Sequence, residues 1–120
     1  MQFIRQPEDT NLCGQACVAM LCEITLEEAV MLVRTRGATR TCDLKRAIRA
    51  MGLDTAERRK RGMPDKSQTA LLYFQSKERD KAHWVLWRKG KYYDPSAGVF
   101  RKLPNHLREA DMTSHLRIIT

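Results

Sequence analysis

The chain has 120 residues, with 22 Lys and Arg against 14 Asp and Glu, a formal net charge of +8. A length near the common domain size predicts one domain over 1–120, carrying one active site or one binding face, with no room for a second core. The longest apolar run, "ACVAML", is far too short to span a membrane, and the opening "MQFIRQPEDT" lacks the apolar centre of a signal peptide. The expectation is therefore a cytoplasmic protein without a membrane span, in which Cys13, Cys17, Cys22 and Cys42 stay as free thiols. A chain of this size buries roughly two-thirds of its unfolded surface, so neither a disulfide nor a metal is needed for folding.

Residues 1–10 read as an extended arm. Asn11 is placed to cap a helix on which Leu12, Ala16, Ala19 and Met20 recur at helical spacing, running to about Glu23. Next, "TLEE" forms a capping box at Thr25 and Glu28 and opens a second helix, "LEEAVMLVRTR", predicted to stop at Gly37. A third helix, "CDLKRAIRAM", is expected to be capped by Thr41 or Asp43, to gather Leu44, Ala47, Ile48 and Met51 on one side, and to close at Gly52. Residues 57–67, with the run Arg58 to Arg61 and then Gly62, Met63 and Pro64, read as a charged loop. Beyond it the period changes: "TALLYF", "HWVLWR", "KYYD", "GVF" and "LRIIT" are short, aromatic or branched, and separated by turn residues, so they are predicted strands. "PNHLREAD" adds one helical turn. The predicted class is α+β, with N-terminal helices packed on a C-terminal antiparallel sheet.

The chemistry concentrates at Cys13. A cysteine in the first turn of a helix lies among unpaired backbone N–H groups at the positive end of the dipole, which stabilise its thiolate, and its own N–H can donate to an oxyanion. Cys17, one turn further in, is expected in the core. A thiolate nucleophile needs a base, and His83 opens the apolar strand "HWVLW", whereas His106 and His115 lie in polar stretches expected to be exposed. If Lys89 and Gly90 form a two-residue turn, Val85 faces Asp94 and His83 faces Ser96, which puts His83 and Asp94 diagonally on one face. A three-residue loop would send Asp94 to the other face. Gln6, on the arm before Cys13, is the favoured second oxyanion donor over Gln2 and Gln15, the last of which would face away from His83.

Gln6, then "CGQACVAML", then "HWVLWRKGKYYDPSAG" together resemble the papain-like cysteine peptidases, specifically the bacteriocin leader-peptidase (double-glycine peptidase) branch and its stand-alone relatives, from Gln6 to about Gly98. The resemblance implies a papain-like fold and a peptide or protein substrate. It also implies that Cys13 is the nucleophile, Gln6 the oxyanion-hole glutamine, and His83 and Asp94 the rest of a triad, with no metal or other cofactor. The separation of His83 and Asp94, 11 residues, is short for that family and requires a tight hairpin.

Three residues are expected to touch substrate: Gly14, which lets it approach the backbone, Ser96 opposite His83, and Trp84. The aromatic set Trp84, Trp87, Tyr92 and Tyr93 either lines a peptide groove or forms cross-strand core pairs. The segment 34–61 holds ten Lys or Arg against Asp43, Asp54 and Glu57, a net +7, which suits an acidic substrate or partner. It also opens an alternative from another class, a nucleic-acid-binding or protein-binding module. In the nucleic-acid version, residues 25–52 form helix, turn and helix with Lys45, Arg46 and Arg49 exposed, and Arg58 to Arg61 touch phosphates. Against it, "GATRT" is long for such a turn. A zinc site would require a Cys-x-x-Cys pair, which the chain lacks.

Overall fold

The structure, a computed structural model, describes residues 1–76, 82–108 and 110–119. Three helices come first: α1 (Cys13–Cys22), α2 (Leu26–Val33) and α3 (Thr41–Ala50). The strands are β1 (Asp54–Thr55), β2 (Thr69–Ser76), β3 (Ala82–Arg88), β4 (Lys91–Asp94), β5 (Gly98–Phe100) and β6 (Ala110–Ile119), and the short helix α4 (Asn105–Arg108) precedes β6. They form one antiparallel sheet in the order β1-β6-β2-β3-β4-β5, confirming the predicted α+β class.

The helix ends show where local signals won. Thr25 and Glu28 form both bonds of the capping box, each at 3.1 Å. Asn11 is not the cap of α1. Leu12 occupies that place with no side-chain bond to the first turn, so the N–H groups around Cys13 are not consumed by a cap. α2 ends at Val33, four residues before Gly37. Arg34 takes the left-handed conformation at φ 69°, and the Gln15 amide binds the carbonyls of Thr35 and Gly37 at 2.8 and 2.9 Å, drawing the chain off the helix axis. Arg40 rather than Thr41 precedes α3, and Asp43 reaches back to accept its N–H at 3.0 Å.

The sheet is covered on both faces, which explains why β2 and β3 read as nearly continuous apolar runs. Toward the helices, Leu71, Trp84, Leu86, Leu116 and Ile118 pack with Cys17, Val18, Met20, Val33, Leu44 and Ile48. On the opposite face, Leu72, Phe74, Val85, Trp87 and Tyr92 form a second core with Leu107 from α4, flanked by Phe100 and Leu103. Burying a side chain such as Leu71 or Leu86, both 0% exposed, stabilises the fold by about 1.5–3 kcal/mol. The four aromatic residues proposed for a groove are mostly core: Trp84 packs on Tyr73 and Trp87 on Tyr92, each at 4.9 Å between ring centroids. β1 and the placement of β6 between β1 and β2 have no local signature in the sequence.

Candidate active site

Two local features bring the chemistry together. The first is the β3–β4 turn. Lys89 and Gly90 both have positive φ, 51° and 73°, the type I′ geometry that matches strand twist. The register Leu86↔Tyr93, Trp87↔Tyr92, Arg88↔Lys91 is that of a two-residue loop. The expected diagonal contact follows: His83 Nε2 lies 2.6 Å from Asp94 Oδ1. The second is the start of α1, which packs against β3 so that the Trp84 backbone N–H donates to Cys13 Sγ at 3.5 Å.

Cys13 keeps 8% exposure and His83 is partly buried, while Cys17 and Asp94 are fully buried. Burial pushes the Cys13 thiol up, but the His83 imidazole beside it and the N–H groups of Trp84 and Gly14 outweigh that, and the net direction is down. For His83, burial acts to lower the pKa, whereas Asp94 and then the Cys13 sulfur raise it, to about 9. Asp94 is driven up by burial and down, more strongly, by His83, His106 and the Ser96 N–H, so it lies well below the usual carboxylate range. Burial alone carries Cys17 well above an ordinary thiol, with the Cys13 and Asp94 charges adding to it. One cysteine is thus primed and its neighbour inert. With Nε2 turned to Asp94, Nδ1 is the ring nitrogen left to serve the sulfur.

Asp94 is held more fully than the sequence suggested. Its Oδ1 accepts from the Ser96 N–H at 2.9 Å and the Ser96 hydroxyl at 2.8 Å, and its Oδ2 accepts from His106 Nε2 at 2.7 Å. His106 was expected to be exposed in a polar stretch, and it is. It is half exposed, on α4, with its ring against Phe100, and it touches the carboxylate. A histidine 12 residues past the aspartate, beyond a strand and a loop, leaves no periodic trace. The same expectation fails for His115, because that residue is 6% exposed on β6 and its Nδ1 donates to the Gly62 carbonyl at 2.6 Å.

The N-terminal arm closes the other side. The Gln6 N–H bonds the Pro95 carbonyl at 2.9 Å, and Arg5 donates to the carbonyls of Ser96 and Ala97. The arm is therefore fixed to the turn that follows Asp94. The Gln6 amide donates to the Thr10 carbonyl at 2.9 Å, and its Oε1 is buried without a partner. Gln15 faces away, as expected, bonded to the α2–α3 loop. A cavity of about 290 Å³, lined by Arg5, Gln6, Pro7, Glu8, Asp9 and Ser96, lies between arm and turn.

Of the three residues expected to touch substrate, only Trp84 is placed by its burial where its ring cannot line a groove. A Cβ on Gly14 would fall 2.2 Å from Thr39 Oγ1, so the glycine permits close packing against the segment before α3. The Trp84 ring is 2% exposed and lines no groove; the backbone of this residue, not its indole, reaches the site. Ser96 does line the cavity, with its hydroxyl engaged by Asp94.

The cations proposed for a nucleic-acid-binding helix are occupied within the chain. Lys45 binds the Glu57 carbonyl, Arg46 the Val33 carbonyl, and Arg49 contacts Asp54 and Glu57. Among the described residues no group of His, Cys, Asp and Glu is arranged to hold a metal, and no helix is long and apolar enough to cross a membrane.

No protein-family model and no curated protein matches the chain. Among solved structures it is similar to a double glycine motif protease from an AMS/PCAT transporter, crystallised in complex with the leader peptide. The TM-score is 0.68 over 98% of this chain and 89% of that one, at 19% sequence identity. The two share the papain-like α+β fold.

Proposed function

We propose that the chain is a cysteine peptidase or amide hydrolase of papain-like type, acting on a peptide or protein substrate through Cys13, His83 and Asp94. The observation that carries this reading is the combination of a cysteine sulfur at a helix start, bonded by the Trp84 N–H, and an imidazole fixed by a buried carboxylate. The Cys13 thiolate attacks a carbonyl, and the Cys13 N–H and the Gln6 amide hold the oxyanion. To do so the Gln6 amide uses its second proton or exchanges its Thr10 contact for substrate. His83, as imidazolium, gives its proton to the leaving amine; it then takes a proton from water, which attacks the thioester and releases the acid. Asp94 keeps the ring oriented and stabilises its charged form. A reducing, cytoplasmic setting suits the free thiols, since all four cysteines are unpaired in the fold.

The substrate reading draws on the leader peptide bound to the structurally similar protease. The cavity beside Ser96 carries Glu8 and Asp9 against Arg5, so it offers no excess of positive charge to an acidic substrate. The basic segment 34–61 is not part of it.

The test is alkylation with iodoacetamide followed by mapping of the adduct. Cys13 is expected to react first, at a pH below that of an ordinary thiol, and His83→Ala to move its reaction midpoint upward. Preferential labelling of Cys22 or Cys42 at neutral pH would sink the proposal. Gln6→Ala should leave labelling intact and lower turnover by roughly 100- to 1,000-fold.

A further inference from the structure

The run Arg58 to Arg61 is not absorbed by the active site. Residues 56–60 follow the edge of β6, fixed at one end by the Ala56 N–H to the Arg117 carbonyl at 2.9 Å and at the other by paired bonds between Lys60 and His115, both at 2.8 Å. Beyond them the chain turns over the sheet through Met63 and buried Pro64. The result is a cavity of about 280 Å³ with Arg58, Lys60, Arg61 and Arg117 at its rim and buried His115 in its wall. It lies on the β6 side of the sheet. His115 pairs with Leu72, so it projects to the face away from the helices, and none of the cavity's lining residues belongs to the Cys13 site.

Among the described residues no carboxylate lines this cavity. Of the acids nearest in sequence, Asp54 and Glu57 contact Arg49 of α3, at 3.3 and 3.6 Å, and Asp65, next to Pro64, is exposed and lies outside the lining. Four side-chain cations thus share one concavity whose described lining holds no acid, Arg58 and Lys60 on the segment held at both ends, Arg61 just beyond it and Arg117 on β6. Guanidinium groups present paired N–H donors that match phosphate oxygens. The volume holds roughly nine water-sized groups, enough for one phosphate and its immediate substituent but not for a stretch of duplex. His115 is held by its Gly62 bond with Nδ1 protonated, and Met63 and Pro64 supply an apolar wall for the substituent.

We propose that this pocket binds a small phosphomonoester, gripping its dianionic phosphate with Arg58, Lys60, Arg61 and Arg117. The proposal stands apart from the hydrolase reading, because it uses none of that site's residues.

The experiment titrates the full chain, followed by amide NMR, with inorganic phosphate and with a nucleoside 5′-monophosphate, ionic strength being held constant with chloride. Saturable shifts confined to residues 56–64 and 115–117 are expected with both, the ester binding more tightly if Met63 and Pro64 contact its substituent. Arg58→Gln and Arg117→Gln should each weaken binding about tenfold. Arg101→Gln, an exposed arginine outside the pocket, should change nothing, and Cys13 alkylation should proceed at the wild-type rate in all three. The proposal is overturned if the shifts do not saturate, if they spread over the cationic surface, if Arg101→Gln weakens binding as much as Arg117→Gln, or if a DNA duplex binds where phosphate and its ester do not.

Discussion

At the scale of single residues, Asp94 is the centre of the site because both of its oxygens are committed: Oδ1 to His83 and Ser96, Oδ2 to His106. A buried carboxylate with one oxygen unsatisfied would be free to rotate and would be costly to keep charged. Under the proposed function His106 is therefore a positioning residue. A charge-assisted hydrogen bond of this kind contributes about 1.5–3 kcal/mol. His106→Ala is expected to lower kcat roughly tenfold or more with KM unchanged, and His106→Gln, which retains a donor near the same point, to restore much of it. Equal losses in the two variants, or a loss confined to KM, would contradict this role. Cys13, His83 and Asp94 were legible in the sequence because each sits at a local landmark: a helix start, a strand start, a strand end before Pro95. His106 was not, since its partner is chosen by the path of α4 rather than by spacing. The packing partners of Gly14 and Trp84 were not legible for a related reason. Nothing in the chain's order says whether a small or an aromatic residue beside a nucleophile meets substrate or meets Thr39 and Tyr73.

Among the elements, the β3–β4 hairpin has the narrowest tolerance. Its two-residue turn sets the register that aims Asp94 at His83, and side-chain direction alternates with every residue. Inserting one glycine between Lys89 and Gly90 is expected to keep a folded sheet, because both faces are apolar, while turning Asp94 from His83. Peptidase activity should fall to the level of Asp94→Ala, and far-ultraviolet circular dichroism should remain that of the parent. Retained activity would mean that the hairpin can bulge to absorb the insertion. The turn was readable from "RKGK" because glycine supplies the second positive φ at no steric cost. The early end of α2 was not, because it is set by a glutamine amide 20 residues away at Thr35.

Across the whole molecule, the coupled charges of the site make stability depend on pH. Asp94 is depressed in the fold, so it contributes stability that is present above its unfolded value near pH 4 and lost as pH falls below it. His83 is raised to about 9, so its contribution is complete below about pH 6.5 and is lost as pH rises through 9. In a Cys13→Ser variant, where no thiol titrates against it and Asp94 alone is left to raise His83, the melting temperature is expected to be highest between about pH 4 and 6.5 and to decline above that, over a window that ends below the parent's pH 9. Replacing His83 with Ala in that background should flatten the alkaline decline, and an unchanged slope would show that the histidine carries no such linkage.

The sheet order adds a consequence in time. β6 lies between β1 and β2, although it leaves the ribosome after every other strand. Until it does, β2 has one open edge and the core lacks Leu116 and Ile118. Cys13 thus precedes in the chain the strand that completes the sheet beneath its helix, and until β6 is in place its sulfur lacks the full frame that seats it.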